Sequence, residues 1–244
     1  MIWRVATVVA LHDETARART ITLDVPDWPG HVPGQHLDVR LTAEDGYSAV
    51  RSYSIASAPG SEKQVQITVE RLPDGEVSPY LTRELGVGER LELRGPIGGW
   101  FVWRTHQAEP IQLVAGGSGI VPLMAMIRAR VSVGSRAPFR LLYSVRAPEA
   151  VFYRDELRAL SAGDRSVIVT YAYTRFVPDD WPGNPGRIDA GLIARATWPA
   201  LVAPTCYVCG PTSFVESVAD LLSASGNDRG RIRTERFGPT GGRT

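Results

Sequence analysis

Cysteine and histidine are scarce: of 244 residues only Cys206 and Cys209 are cysteine, and only His12, His31, His36 and His106 are histidine. Two thiols fall short of the four ligands that an iron–sulfur cluster or an all-cysteine zinc site needs, and no histidine lies near them in sequence, so no metal site is expected. Their C-x-x-C spacing falls inside an apolar run, TCYVCG, rather than at a helix start, which argues against a thioredoxin-like redox pair. An excess of one charge is also missing. Lys and Arg number 27 against 26 Asp and Glu, a net +1, and the basic residues are scattered, so nothing points to nucleic acid or an anionic membrane. No apolar run is long enough to span a bilayer. The opening MIWRVATVVALHDE alternates and lacks the basic start and small-residue cleavage site of a signal peptide. The expectation is a soluble, cytoplasmic chain without nucleic-acid partner or membrane span.

What is present is an ordinary globular composition, 43% hydrophobic and 22% charged, in a length that suits one large domain or two smaller ones. Two periodicities divide it. Up to about residue 105, short alternating segments recur at 4–10, 20–25, 36–41, 50–56, 65–71 and 90–94, separated by turns such as Trp28-Pro29-Gly30, Pro33-Gly34 and Pro59-Gly60. One helix, 78–85, interrupts them. This pattern predicts a small closed antiparallel β-barrel over 1–105, since closure hides sheet edges. Over 106–244 the strand-like runs IQLVA, FRLLYS, SVIVTYAY, CYVCG and RIRTERF alternate with helical segments near 121–130, 153–160, 190–196 and 214–222. Continuous apolar strands separated by helices predict a doubly wound parallel α/β sheet. The tail around Gly241-Gly242 is expected to be loose.

Four segments carry chemistry. Arg51-Ser52-Tyr53-Ser54 taken alone reads as the end of an ordinary strand. It also places a forked cation for a pyrophosphate, a ring that can stack on a flat cofactor, and a hydroxyl for a ring nitrogen. Gly75-Glu76-Val77-Ser78, followed by Pro79, reads as a helix start with Ser78 as N-cap, where exposed N–H groups favour an anion. Glu76 counts against that unless its side chain turns away. After strand IQLVA comes Gly116-Gly117-Ser118-Gly119-Ile120 and a helix. This is neither a Walker loop, which needs a lysine, nor a full G-x-G-x-x-G, yet it brings backbone and a helix N-terminus to a dinucleotide. Cys209-Gly210-Pro211 ends another parallel strand and faces the same crevice; read plainly it is a small hydrophobe in a tight turn.

In this order these segments resemble the ferredoxin–NADP reductase family, and the resemblance covers nearly the whole chain. Pro33-Gly34-Gln35-His36 resembles the strand before the flavin motif, Arg51-x-Tyr53-Ser54 the R-x-Y-S flavin motif, and Gly75-x-x-Ser78 the second flavin-phosphate motif. Gly95-Pro96-Ile97-Gly98 resembles the closing segment of the barrel. The glycine loop and Cys209-Gly210-Pro211 match the two nicotinamide motifs, and Glu235-Arg236-Phe237-Gly238 the C-terminal one. The resemblance implies FAD, or alternatively FMN, in the mouth of the barrel, with NADPH or NADH entering from the second domain. Arg51 would hold flavin phosphate and Tyr53 would pack on the ring. The backbone near Glu70 and Arg71 would approach the flavin or its ribityl chain, and Phe237 would cover the ring. Ser54, Cys209 and Glu235 would hold the two rings at hydride-transfer distance, which is catalysis by positioning.

Ser144 and Arg146 follow the second strand of this half and Thr174-Arg175 the third. An arginine there can clamp a 2′-phosphate, which leans the choice to NADPH. Unlike many relatives the chain has no cysteine ligands for a two-iron cluster, so the implied acceptor is a separate molecule: a ferredoxin, an oxygenase or haem protein, or a small molecule. Two further readings stand beside this one. One is a non-catalytic flavin-binding regulatory or docking subunit, the other a nucleotide-binding domain joined to an unrelated barrel. The intact hydride-site residues favour the enzyme.

Overall fold

The computed structural model describes residues 2–60, 63–163 and 167–238; the tail around Gly241-Gly242 lies outside them. Alternating Val, Ile, Leu and Thr over the first hundred residues fold as strands because one face can be buried while the other meets water. These strands are β1 (Trp3–Thr15), β2 (Ala18–Asp24), β3 (His36–Thr42), β4 (Ser48–Ser54), β5 (Gln64–Glu70) and β6 (Arg90–Ile97). They form one antiparallel sheet in the order β4-β3-β6-β1-β2-β5. The long β1 pairs first with β6 and then with β2, and its register shifts between Val8 and Ala10. Such a bulge bends a strand enough to turn a barrel corner. The two edges meet through the bridge Ile55–Ile67 just beyond Ser54, which closes the barrel around Ile21, Leu37, Ile67 and Leu93.

Helix α1 (Ser78–Arg83) lies between β5 and β6 and stops two residues short of the expected end. Ser78 is not its N-cap. Val77 holds that position without a side-chain hydrogen bond, and the Ser78 hydroxyl instead accepts from the Leu72 N–H at 3.0 Å. A backbone N–H six residues back has outcompeted the capping geometry that the sequence favours.

The second half is a five-stranded parallel sheet, β7 (Ile111–Gly116), β8 (Phe139–Val145), β9 (Val167–Tyr173), β10 (Thr205–Pro211) and β11 (Ile232–Phe237), in the order β11-β10-β7-β8-β9. Helices α2 (Ile120–Ser132), α3 (Arg154–Gly163), α4 (Ala190–Ala196) and α5 (Thr212–Ala224) connect it. Strand order reverses between β7 and β10, and ligands of doubly wound sheets bind in the crevice beyond the carboxyl ends at such a point. Tyr153 adopts φ 55°, so α3 begins one residue later than its apolar pattern indicates.

Helix α2 is apolar nearly all round, and that sequence demands burial on two sides. It packs on the sheet, and its Met126 reaches Gly34 of the barrel, where an added Cβ would stand 2.7 Å from the methionine methyl. Phe101 and Trp103 join the core built around β7 and α2, with Trp103 edge-on to Phe139 at 5.2 Å. The two halves therefore share one continuous apolar seam. Among the described residues no helix is long and apolar enough to cross a membrane.

Candidate functional site

Three strand ends converge where barrel and parallel sheet meet. Ser54 ends β4, and its hydroxyl donates to Oε1 of Glu235 at 3.4 Å. Glu235 lies beside Cys209 in the parallel register of β10 and β11, and Cys209 in turn lies beside Ala115 of β7. Ser54, Cys209 and Glu235, assigned together from the sequence, are together in space. Burial pushes the Glu235 carboxyl up to about 7, with the Ser54 hydroxyl pulling the other way. A carboxyl in that range holds or releases a proton near neutral pH. Burial, and next the charge of Glu235, push the Cys209 thiol well above its ordinary value. Cys209 is therefore a packed neutral thiol rather than a nucleophile. Cys206 looks into the other face of the sheet, among Val114, Val215 and Leu222, so the C-x-x-C spacing makes no pair.

The glycine loop packs directly on this corner. A Cβ on Gly119 would stand 2.1 Å from the carbonyl oxygen of Cys209, so only glycine lets the start of α2 lie against β10. Gly116 and Gly210 both face the Phe214 ring, where a Cβ would come within 2.7 Å of it. Gly117 has φ +55° and open space around its missing side chain. Beyond the loop opens a cleft of about 480 Å³. Gly116, Gly117, Ser118 and Pro211 line it beside the loop, Ser144, Arg146, Thr174 and Arg175 form its far wall, and Glu70 of the barrel and Phe237 at the end of β11 complete it. The exposed guanidinium-bearing residues Arg146 and Arg175 are held together by the Arg175 N–H, which donates to the Arg146 carbonyl at 3.0 Å. Ile120 and Gly210 sit behind this surface. Arg71 is not part of it; its backbone N–H donates to Arg17 O at 2.7 Å and pins the β1–β2 hairpin.

Sequence reasoning missed Thr15, Ala16 and Arg17 at that hairpin tip, and Phe152, Phe176 and Phe214, all of which line the cleft. Phe176 directly follows Thr174-Arg175, so extending the strand-end rule by one residue would have found it. The hairpin carries no local signal, because its contacts lie far along the chain.

A second anion-ready corner lies on the barrel. Nη2 of Arg51 pairs with Oε2 of Glu76 at 2.5 Å, and the Tyr47 hydroxyl donates to Oε1 of the same carboxylate at 3.1 Å. The strand motif and Gly75–Ser78 are thus brought together, with Glu76 turned sideways onto Arg51. Gly75 is tight against Ser78, and the Val77 and Ser78 side chains are buried, so Glu76 is the one side chain of this segment that is exposed. Ser52 is committed elsewhere: its hydroxyl donates to Asp38 at 2.7 Å, which Arg94 also grips at 2.6 Å. Tyr53 lies half-buried beside Leu37, its phenol pushed up by burial. A half-exposed guanidinium, a short helix whose first N–H groups have no side-chain cap, and a partly open aromatic ring are the donor set that a flavin diphosphate and ring require. These residues fit a flavin nucleotide.

A phosphate-ready corner on each of two sheets, with the Ser54–Glu235 contact between the sheets, is the arrangement expected of an oxidoreductase that handles a flavin and a nicotinamide. The profile of the oxidoreductase FAD-binding domain matches residues 6–102, and that of the oxidoreductase NAD-binding domain residues 113–220. The ferredoxin–NAD(P)+ reductase component of the naphthalene 1,2-dioxygenase/salicylate 5-hydroxylase systems of a Ralstonia species is 30% identical over 96% of this chain and 69% of its own. The glycine betaine monooxygenase reductase subunit of Chromohalobacter salexigens is 31% identical over 85% of this chain, but the match spans only 56% of that protein. The flavohaem-like FAD/NAD-binding domain of nitric oxide dioxygenase from Vibrio cholerae superposes with a TM-score of 0.85 at 26% identity, covering 97% of this chain and 99% of that domain. The chain belongs to the ferredoxin–NADP reductase family, and its cofactors are FAD and NAD(P)H.

Proposed function

We propose that this chain oxidises NAD(P)H by hydride transfer to bound FAD and passes the electrons to a separate acceptor: a ferredoxin, an oxygenase or haem protein, or a small molecule. The observation that carries the reading is the meeting of Ser54 with Glu235 beside Cys209, the residue on which the glycine loop packs. The chain divides near residue 105 into a flavin-binding barrel and a nicotinamide-binding sheet, and it works in the cytoplasm. The acceptor follows from the relatives, reductase components of oxygenase systems.

When bound, the flavin supplies two-electron acceptance from a nicotinamide and one-electron delivery onward. The protein supplies placement. Arg51 and the backbone of 75–78 hold the flavin diphosphate, and Tyr53 is the platform for the ring. Ser54 offers its hydroxyl to the ring edge, and Glu235 behind it holds or yields a proton at its carboxylate oxygens. Gly117 and Ser118 admit the nicotinamide pyrophosphate, Arg146 and Arg175 grip a 2′-phosphate, and Phe237 shields the ring from water. The purified protein loaded with FAD should be yellow, and anaerobic NADPH or NADH should bleach it. A protein that binds flavin but is not bleached would be a regulatory or docking subunit; one that binds no flavin sinks the proposal.

A further inference from the structure

The two halves touch through apolar packing along most of the seam and through a few polar bonds, of which one group centres on Arg128. Arg128 of α2 makes a forked pair with Glu156 of α3, Nη2–Oε2 at 2.6 Å and Nε–Oε1 at 2.9 Å. Its remaining nitrogen, Nη1, crosses to the barrel, donating to the carbonyl of Ala56 at 2.9 Å and reaching Oε1 of Gln66 at 3.4 Å. The guanidinium lies over the Tyr153 ring at 4.8 Å. Tyr153 is itself tied to the barrel. Its backbone N–H donates to Glu14 at 2.9 Å, and its hydroxyl donates to Thr68. Thr68 and Glu14 are linked through Thr20, at 2.7 and 2.6 Å.

The placement of the two ends of this bond gives it meaning. Ala56 follows Ser54 by two residues, and the intervening Ile55 closes the barrel. Arg128 stands eight residues into the helix that starts at the glycine loop. At a rise of about 1.5 Å per residue the loop is about 12 Å from Arg128 along α2. A tilt of about 5° about this point would move the loop by roughly 1 Å, and a misplacement of that size can cost about 100-fold in a reaction that depends on alignment.

We propose that Arg128 is a positioning residue for hydride transfer: one guanidinium, braced by Glu156, fixes the helix that carries the nicotinamide loop against the strand that carries Ser54. This rests on the reductase reading above. Lysine cannot replace it, because a single ammonium on a flexible stem cannot hold a carboxylate by a fork and reach a carbonyl in a third direction.

The test compares the FAD-loaded parent with Arg128→Met, Arg128→Lys and Glu156→Gln. Amide hydrogen exchange is read at 54–57 and 117–120, and anaerobic bleaching by saturating NADPH or NADH is set against bleaching by dithionite. In Arg128→Met, exchange at both segments should rise at least threefold while the fold and flavin content persist. Nicotinamide bleaching should slow ten- to a hundredfold with little change in the half-saturating nicotinamide concentration, and dithionite bleaching should not change. Glu156→Gln should show the same pattern more weakly, and it carries the test if Arg128→Met does not fold. Lysine should restore only part of the rate. Exchange and bleaching within twofold of the parent, or full rescue by lysine, would overturn the proposal while leaving the reductase reading intact. A parent that nicotinamide does not bleach sinks both.

Discussion

The hydroxyl of Ser54 and the carboxylate of Glu235 are 3.4 Å apart although 181 positions separate them in the chain, and each belongs to a different sheet. That contact joins the flavin strand to the last strand of the nicotinamide sheet. It also fixes what the carboxyl can do, because the same packing that brings Ser54 close removes water from Glu235.

The stability of the fold should depend on pH through Glu235. The folded Glu235 carboxyl titrates near 7, whereas unfolded it would titrate near its ordinary 4.5. Between those values the folded state binds more protons than the unfolded state, so stability falls as pH rises through that window. Glu235→Gln removes this dependence. Thermal unfolding of parent and variant should show the parent losing ground to the variant between about pH 5 and about pH 8. A constant difference across that range would show that Glu235 is not desolvated as described.

Two glycines of one loop should respond oppositely to the same substitutions. Gly119 has ordinary helical backbone but no room, with Cys209 O 2.1 Å from an added Cβ. Gly117 has room but a left-handed backbone, φ +55°. Alanine at 119 should cost about 1–3 kcal/mol through overpacking, and alanine at 117 about 1–2 kcal/mol through backbone strain. Asparagine separates the causes. It tolerates the left-handed region, so Gly117→Asn should be milder than Gly117→Ala, while Gly119→Asn should be worse than Gly119→Ala. Urea unfolding of the four variants decides it, and the same ranking at both positions would refute the assignment.

Cofactor choice should reside in Arg175 and Arg146 at the far wall of the cleft. A charge-assisted hydrogen bond to phosphate contributes about 1.5–3 kcal/mol. Arg175→Ala should therefore raise the half-saturating NADPH concentration by about ten- to a hundredfold and leave that for NADH nearly untouched. Equal effects on both nicotinamides would mean that Arg175 does not meet the 2′-phosphate.

Glu76 occupies the Arg51 fork that a flavin phosphate would use. Both side chains are half exposed, where an ion pair is worth at most about 1 kcal/mol. Glu76→Gln should accordingly tighten FAD binding by up to about fivefold, with the gain shrinking as salt is added. Weaker flavin binding in this variant, measured by fluorescence quenching, would show that the pair prepares Arg51 for the phosphate instead of competing with it.

Much of this protein is legible in its sequence because the signals are local. Alternation of apolar and polar residues over β1–β6 and continuous apolar runs over β7–β10 follow from which faces are buried, so the two sheet types could be read in order. The glycine loop announced itself because several glycines in succession are hard to explain except by close approach. Ser78 shows the limit of such reading: local chemistry favours a cap there, and a bond to Leu72 takes the hydroxyl away.

What only the tertiary structure decided are the contacts between distant segments. Periodicity does not specify that the hairpin at Ala16-Arg17 would wall the cleft, that Glu76 would turn onto Arg51, or that Arg128 would cross to Ala56. The Glu76–Arg51 pair depends on how the barrel closes, and the other two depend on the angle at which one sheet meets the other. That angle is set by the shape of the apolar seam formed by α2, Phe101 and Trp103, whose sequence shows only that it must be buried.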